Sequence, residues 1–128
     1  MKVSIVTVAY NSEKTIEDTI QSVIKQDYPD MEYIIIDGGS KDGTMDIVNR
    51  YADQIDIIIS EPDKGIYDAM NKGVAKATGH IVGILNSDDF YIHEKIITKI
   101  TRTFTRKTDA VYADLVYVDQ ENTDKVMR

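Results

Sequence analysis

Apolar residues fall along the chain in short runs separated by longer amphipathic stretches. Val3 to Val8 is a short, largely β-branched run closed by polar Tyr10, Asn11 and Ser12, which predicts a buried strand. Ile16, Ile20, Val23 and Ile24 then recur at helical spacing and give one apolar face. Asn11 or Ser12 can cap that helix, Glu13 and Glu17 suit the positive end of its dipole, and Pro29 stops any continuation. Tyr33 to Ile36 predicts a second strand ending at Asp37. The Gly-rich "DGGSKDGT" follows as a loop, and Asp42 or Thr44 opens a helix to about Tyr51. Ile55 to Ile59 predicts a third strand and "SEPDKG" a loop. Ile66 to Thr78 predicts a helix with Met70 and Val74 inward and Gly79 as its stop. Ile81 to Leu85 is a fourth strand. Ile92 to Phe104 is again helical, with Ile96, Ile97, Ile100 and Phe104 on one side. Ala110 to Tyr112 and Leu115 to Val118 predict two short strands, and the polar "DQENTDKVMR" a hairpin or a frayed end.

Strands alternating with helices predict a mostly parallel sheet covered on both faces, an α/β sandwich of three layers. A length of 128 residues suits one domain. The formal net charge of −7 argues against sequence-independent binding to nucleic acid, which needs a basic face. It leaves room for a phosphate-bearing ligand bridged by a divalent cation. With no cysteine there is no disulfide, thiolate nucleophile or Cys-based zinc site. No stretch approaches the roughly 20 apolar residues of a membrane span. The chain therefore reads as cytoplasmic, with a peripheral place at the inner membrane left open. An apolar edge near Leu115 to Val118 leaves a homodimer open as well.

In open α/β sheets ligands bind outside the carboxyl ends of the strands. The four predicted strand ends carry Ala9–Tyr10–Asn11, Asp37–Gly38–Gly39–Ser40, Glu61 to Gly65, and Asn86–Ser87–Asp88–Asp89. The turn after the first strand has no G-x-G-x-x-G, and no G-x-x-x-x-G-K-[ST] or G-x-S-x-G occurs, so dinucleotide, P-loop and serine-hydrolase sites are unsupported. A receiver domain would carry its acidic pair after the first strand, whereas here the pair follows the fourth. Asp88 and Asp89 repel one another unless a positive charge is near. They either cap the next helix or hold a metal ion. Asp37 either starts the tight turn with Gly38 or meets a ligand.

Four segments, "VSIVTVAYNSEKTIEDTIQSV", "EYIIIDGGSKDGT", "SEPDKGIYDAMNKGVAKATGHIVGILNSDD" and "VYADLVYVD", together resemble the family 2 glycosyltransferases of the Rossmann-like GT-A fold. Within that family they look most like the bacterial branch that builds O-antigen, capsule and exopolysaccharide. The resemblance implies transfer of a sugar from a nucleotide donor, most often UDP-linked, to a hydroxyl of a glycan or lipid-linked glycan, inverting and metal-dependent.

It also implies roles. Thr7, Ala9, Tyr10 and Asn11 line the nucleotide pocket, and Asp37 contacts the base or ribose. Lys64, Asp68 and Asn71 border the donor. Asp88 and Asp89 share the contacts to the ribose and to Mn²⁺ or Mg²⁺. The general base of the family lies further along than Arg128. The resemblance thus covers residues 1–128 as the nucleotide-sugar-binding half of one domain, with the acceptor half expected elsewhere. A non-catalytic nucleotide-binding module is the alternative.

Overall fold

The computed structural model describes residues 1–104, residue 109, and the backbone at 117–118 and 126–127. Four strands form one parallel sheet: β1 (Val3–Ala9), β2 (Met31–Asp37), β3 (Ile57–Ser60) and β4 (Ile81–Ile84), in the order β3-β2-β1-β4. Between and after them run α1 (Ile16–Ile24), α2 (Thr44–Arg50), α3 (Ile66–Lys76) and α4 (Ile96–Thr103), with one 3₁₀ turn at Ala52–Gln54. A two-residue ladder pairs β5 (Tyr117–Val118) with β6 (Val126–Met127), antiparallel. The strand expected at Ala110 to Tyr112 and the start of that at Leu115 lie outside the described residues. Among the described residues no helix is long and apolar enough to cross a membrane.

The layers follow from alternation along the strands. Ile5, Tyr33 and Ile35 face α1, α2 and α4 in one core, with Ile16, Ile20, Val23, Val48 and Ile97. Val6, Val8, Ile34 and Ile36 face α3 in the other, around Ala69. Winding β1 to β3 leads one way and β4 returns to the far side of β1. Right-handed crossovers then put α1 and α2 on one face and α3 on the opposite one. The order reverses between β1 and β4, which opens a crevice at the carboxyl edge there.

Three local expectations change. α1 starts at Ile16, and Asn11 and Ser12 do not cap it. Asn11 takes a left-handed φ of 48° and its side-chain oxygen accepts the Lys41 N–H, while the Ser12 hydroxyl meets that of Ser87. Val74 is 48% exposed rather than inward, because α3 sets the small residues Ala69 and Gly73 on the sheet. The helix ends at Lys76. Gly79 lies beyond it, where a side chain would collide with the backbone of Ser4 and Lys2. Finally, α4 starts at Ile96 and not at Ile92, which is 74% exposed. The backbone of residues 87–97 bonds to side chains of α1 and its flanks instead of to itself.

At the amino edge, away from the crevice, Glu32 is buried on β2. It accepts hydrogen bonds from the Ser4 hydroxyl at 2.6 Å, the Thr78 N–H at 2.6 Å and the Thr78 hydroxyl at 3.0 Å, with Lys2 Nζ at 3.5 Å. Burial alone would raise its pKa, but these donors and Lys2 prevail and bring the carboxyl from 4.5 to about 2.

Candidate functional site

Parallel pairing brings Ala9, Asp37 and Ser60 side by side and directs the four following loops to one edge. They enclose a cleft of about 1160 Å³, which is roomy beside the roughly 300–1,000 Å³ of common small-molecule sites. Its walls come from the segment after β1 (Tyr10 to Thr15), the loop after β2 (Gly38, Gly39, Lys41, Asp42), the β3–α3 connection with α3 (Pro62, Asp63, Gly65, Ile66, Ala69), and the turn after β4 (Asn86, Ser87, Asp88).

Cross-loop hydrogen bonds fix these walls. The Asn11 N–H donates to Ser40 Oγ at 2.7 Å and the Ser12 N–H to Thr44 Oγ1 at 2.7 Å. The Gly43 N–H donates to Glu13 Oε2 at 2.9 Å. Asp42 accepts from the Thr44 hydroxyl, the Thr44 N–H and the Glu13 N–H. Those bonds, the Thr44 hydroxyl first, hold its carboxyl below the ordinary range. Asp63 Oδ1 accepts the Gly65 N–H at 3.0 Å, beside Gly65 at φ 119°, a conformation that glycine adopts without strain. Lys72 ties the β3–α3 connection together through Glu61 at 3.2 Å and Asp68 at 3.8 Å.

The residues expected at the site divide into two groups. Ala9, Tyr10, Asn11 and Asp88 line the cleft. Tyr10 is 60% exposed and offers a free aromatic face. Thr7 lies inside the core, bonded to the Tyr33 hydroxyl at 2.8 Å. Asp37 is 0% exposed, and its carboxylate takes the Gly39 and Ser40 N–H groups and the Ser40 and Ser60 hydroxyls. It shapes the loop after β2 and knits β2 to β3. Asp68 accepts the Lys64 N–H at 2.9 Å. Lys64, Asp68, Asn71 and Asp89 stand outside the lining of the cleft, Asp89 next to Asp88, which lies within it. The walls also include Ser12, expected as a helix cap, Asn86, expected at the head of the acidic turn, and Lys14, Lys41, Asp42 and Asp63, for which no contact was expected. For Lys14, Lys41, Asp42 and Asp63 the signal in sequence is proximity to a strand end.

The turn Asn86 to Asp89 differs from its neighbours. It closes through the Asp89 N–H to Asn86 O bond at 3.0 Å. Neither the Asp88 nor the Asp89 carboxylate accepts a hydrogen bond among the described residues, and the helix they were expected to cap begins seven residues past Asp89, with Lys95 at its cap position. Burial and the adjacent Asp88 together raise the pKa of Asp89. Asn86 Oδ1 is buried with no hydrogen-bond partner among the described residues. Among the described residues no three His, Cys, Asp or Glu side chains cluster as a metal cage of their own. Two adjacent carboxylates and an unsatisfied amide oxygen are hard donors, suited to Mg²⁺ or Mn²⁺ whose shell is completed by ligand oxygens.

A family model described as "Glycosyl transferase family 2" matches residues 4–128. WfaP of Escherichia coli, a UDP-Glc:alpha-D-GlcNAc-diphosphoundecaprenol beta-1,3-glucosyltransferase, is 35% identical over 120 residues, 93% of this chain and 47% of that protein. TarS of S. aureus, solved as residues 1–349 with UDP-GlcNAc, superposes with a TM-score of 0.72 at 30% identity, over 80% of this chain and 30% of its own. The mannosyltransferase PcManGT of Pyrobaculum calidifontis, solved with GDP-Man and Mn²⁺, gives a TM-score of 0.73 at 27% identity, over 79% and 31%. The chain spans less than half the length of the curated relatives it matches.

Proposed function

The chain belongs to glycosyl transferase family 2, and from that premise we propose that it forms the donor-binding half of a glycosyltransferase acting in bacterial polysaccharide synthesis. The donor is a sugar nucleotide, UDP-linked, and the acceptor a hydroxyl of a glycan or lipid-linked glycan. The UDP-GlcNAc bound by TarS and the UDP-Glc and lipid-linked acceptor in the name of WfaP support this reading, and the GDP-Man bound by PcManGT supports a sugar nucleotide without the UDP link.

One observation carries it. In and next to the four converging loops Glu13, Asp37, Asp42, Glu61, Asp63 and Asp68 all have hydrogen-bond or ion-pair partners. Asp88 and Asp89 stand adjacent with no such work among the described residues. Like charges held idle side by side cost energy unless a cation joins them.

Tyr10 stacks on the base, and the walls after β1 and β2 hold the nucleoside. Asp88, on the cleft wall, and the adjacent Asp89 would hold the divalent ion. When bound, Mn²⁺ or Mg²⁺ neutralises the charge that gathers on the departing diphosphate. In the transfer the acceptor oxygen bonds to the anomeric carbon. The bond from that carbon to the diphosphate breaks, and its electron pair leaves with the diphosphate. Attack from the opposite side inverts the centre, and the acceptor's proton passes to a general base outside the described residues.

Calorimetry with UDP, with and without Mn²⁺, tests the reading. Binding that strengthens with Mn²⁺ and loses that gain in Asp88→Asn and Asp89→Asn is expected. Folded chain that binds UDP in neither condition would overturn it.

A further inference from the structure

A polar stripe runs beside the apolar face of α1. Thr15, Thr19, Ser22 and Gln26 follow one another at spacings of four, three and four, which keeps them on one side of a helix. Each bonds to backbone after β4. Thr15 Oγ1 donates to Ser87 O at 2.9 Å. Thr19 Oγ1 donates to Ser87 O at 3.0 Å and to Asp89 O at 2.5 Å, sharing its one proton between them. Ser22 Oγ accepts the Tyr91 N–H at 3.1 Å. Gln26 donates to His93 O at 2.7 Å and accepts the Ile97 N–H at 3.0 Å.

Thr19 is fully buried and bonds carbonyls on both sides of Asp88. The turn carrying both carboxylates is therefore held from behind by α1. Its front rests on the Ser12–Ser87 hydroxyl pair at 2.6 Å. Two charged groups that repel must be aimed by something other than their own side chains, which make no hydrogen bond among the described residues. Fixing the carbonyls at Ser87 and Asp89 fixes the peptide planes on which both carboxylates ride.

We infer that Thr19 is a positioning residue for the Asp88–Asp89 pair, setting its geometry for a divalent cation without touching cation or nucleotide. This rests on the reading of Asp88 and Asp89 given above. Residues that orient metal ligands commonly change metal affinity 10–100-fold when removed.

The test is titration of Mn²⁺ into the folded chain with UDP present, by calorimetry and by the Mn²⁺ paramagnetic resonance signal, beside UDP titration without metal. Thr19→Val keeps the shape and deletes the hydroxyl. It is expected to raise the Mn²⁺ concentration needed by about tenfold or more, with metal-free UDP affinity unchanged. Thr19→Ser, which keeps the hydroxyl, is expected to restore wild-type Mn²⁺ affinity. Ser22→Ala breaks the stripe beyond the turn and is expected to lower stability alone. If Thr19→Val proves too unstable to titrate, Thr19→Ala deletes the same hydroxyl and is expected to give the same shift, an unchanged Mn²⁺ requirement overturning the inference.

Wild-type Mn²⁺ affinity in Thr19→Val, with Asp88→Asn defective in the same assay, overturns the inference about Thr19 and leaves the donor site standing. An absence of Mn²⁺-dependent binding in the wild type overturns the donor-site reading and this inference with it.

Discussion

Gly73 offers the sharpest test of how α3 is seated. A Cβ added there would lie 2.2 Å from Val6 Cγ1 and 3.2 Å from Val6 Cγ2. Carbon atoms in contact sit about 3.5–4.0 Å apart, so Val6 or the helix would have to shift by more than about 1 Å. Val6 is fully buried at the centre of its core cluster and has nowhere to go. Two effects oppose each other in Gly73→Ala. Helix propensity favours Ala by about 1 kcal/mol, whereas overpacking a tight core costs about 1–3 kcal/mol. A clash this short belongs at the top of that range, so a net loss of about 2 kcal/mol is expected.

Val6→Ala removes the obstructing methyls and is expected to cost about 2 kcal/mol through lost burial and the cavity left behind. In the double variant the new methyl occupies the space that Val6 vacates. The combined loss is then expected to fall short of the sum by about 1 kcal/mol or more, within the span of measured couplings. Urea unfolding followed by circular dichroism gives all four free energies, with unchanged slopes as the check that the two-state comparison holds. Strict additivity, or a stabilised Gly73→Ala, would refute the close approach of α3 to β1. Because Ile66 and Ala69 of that helix line the cleft, nucleotide affinity is expected to fall in Gly73→Ala and recover in the double variant.

Two further outcomes follow from named contacts. Glu32 has a folded pKa below its unfolded value. Its stabilising contribution is therefore present above about pH 4.5 and is lost as pH falls towards about 2. Urea unfolding of wild type and Glu32→Gln across that window is expected to show up to about 3 kcal/mol of pH-dependent stability in the wild type that the variant lacks. Parallel profiles would count against the network with Ser4, Thr78 and Lys2. Tyr10→Ala removes an exposed ring and is expected to leave unfolding unchanged while weakening UDP binding by about 1–3 kcal/mol, the worth of a base–aromatic stack. Calorimetry that shows unaltered affinity would remove Tyr10 from the base pocket.

The sequence by itself determined the α/β alternation, the parallel sheet and the edge at which the loops gather. The physical reason is local. Parallel strands buried on both faces read as continuous apolar runs, as "VSIVTVA" and "YIII" do, and helices between them keep a 3.6-residue stripe. Asp88 and Asp89 were visible too, as a doubled carboxylate at a strand end.

Only the tertiary structure decided what the polar residues do there, because their partners lie far along the chain. Asp37 is consumed by backbone and by Ser60, 23 residues on. Asn11 and Ser12 look like caps locally, yet they bond to residues 40–44 and to Ser87. The helix expected from Ile92 gives way because α1 supplies hydrogen bonds to that backbone from about 70 residues away. Hydrophobic periodicity reports which face is buried. It does not report which hydroxyl meets which carbonyl, and that pairing holds the turn while the Asp88 and Asp89 carboxylates take no hydrogen bond among the described residues.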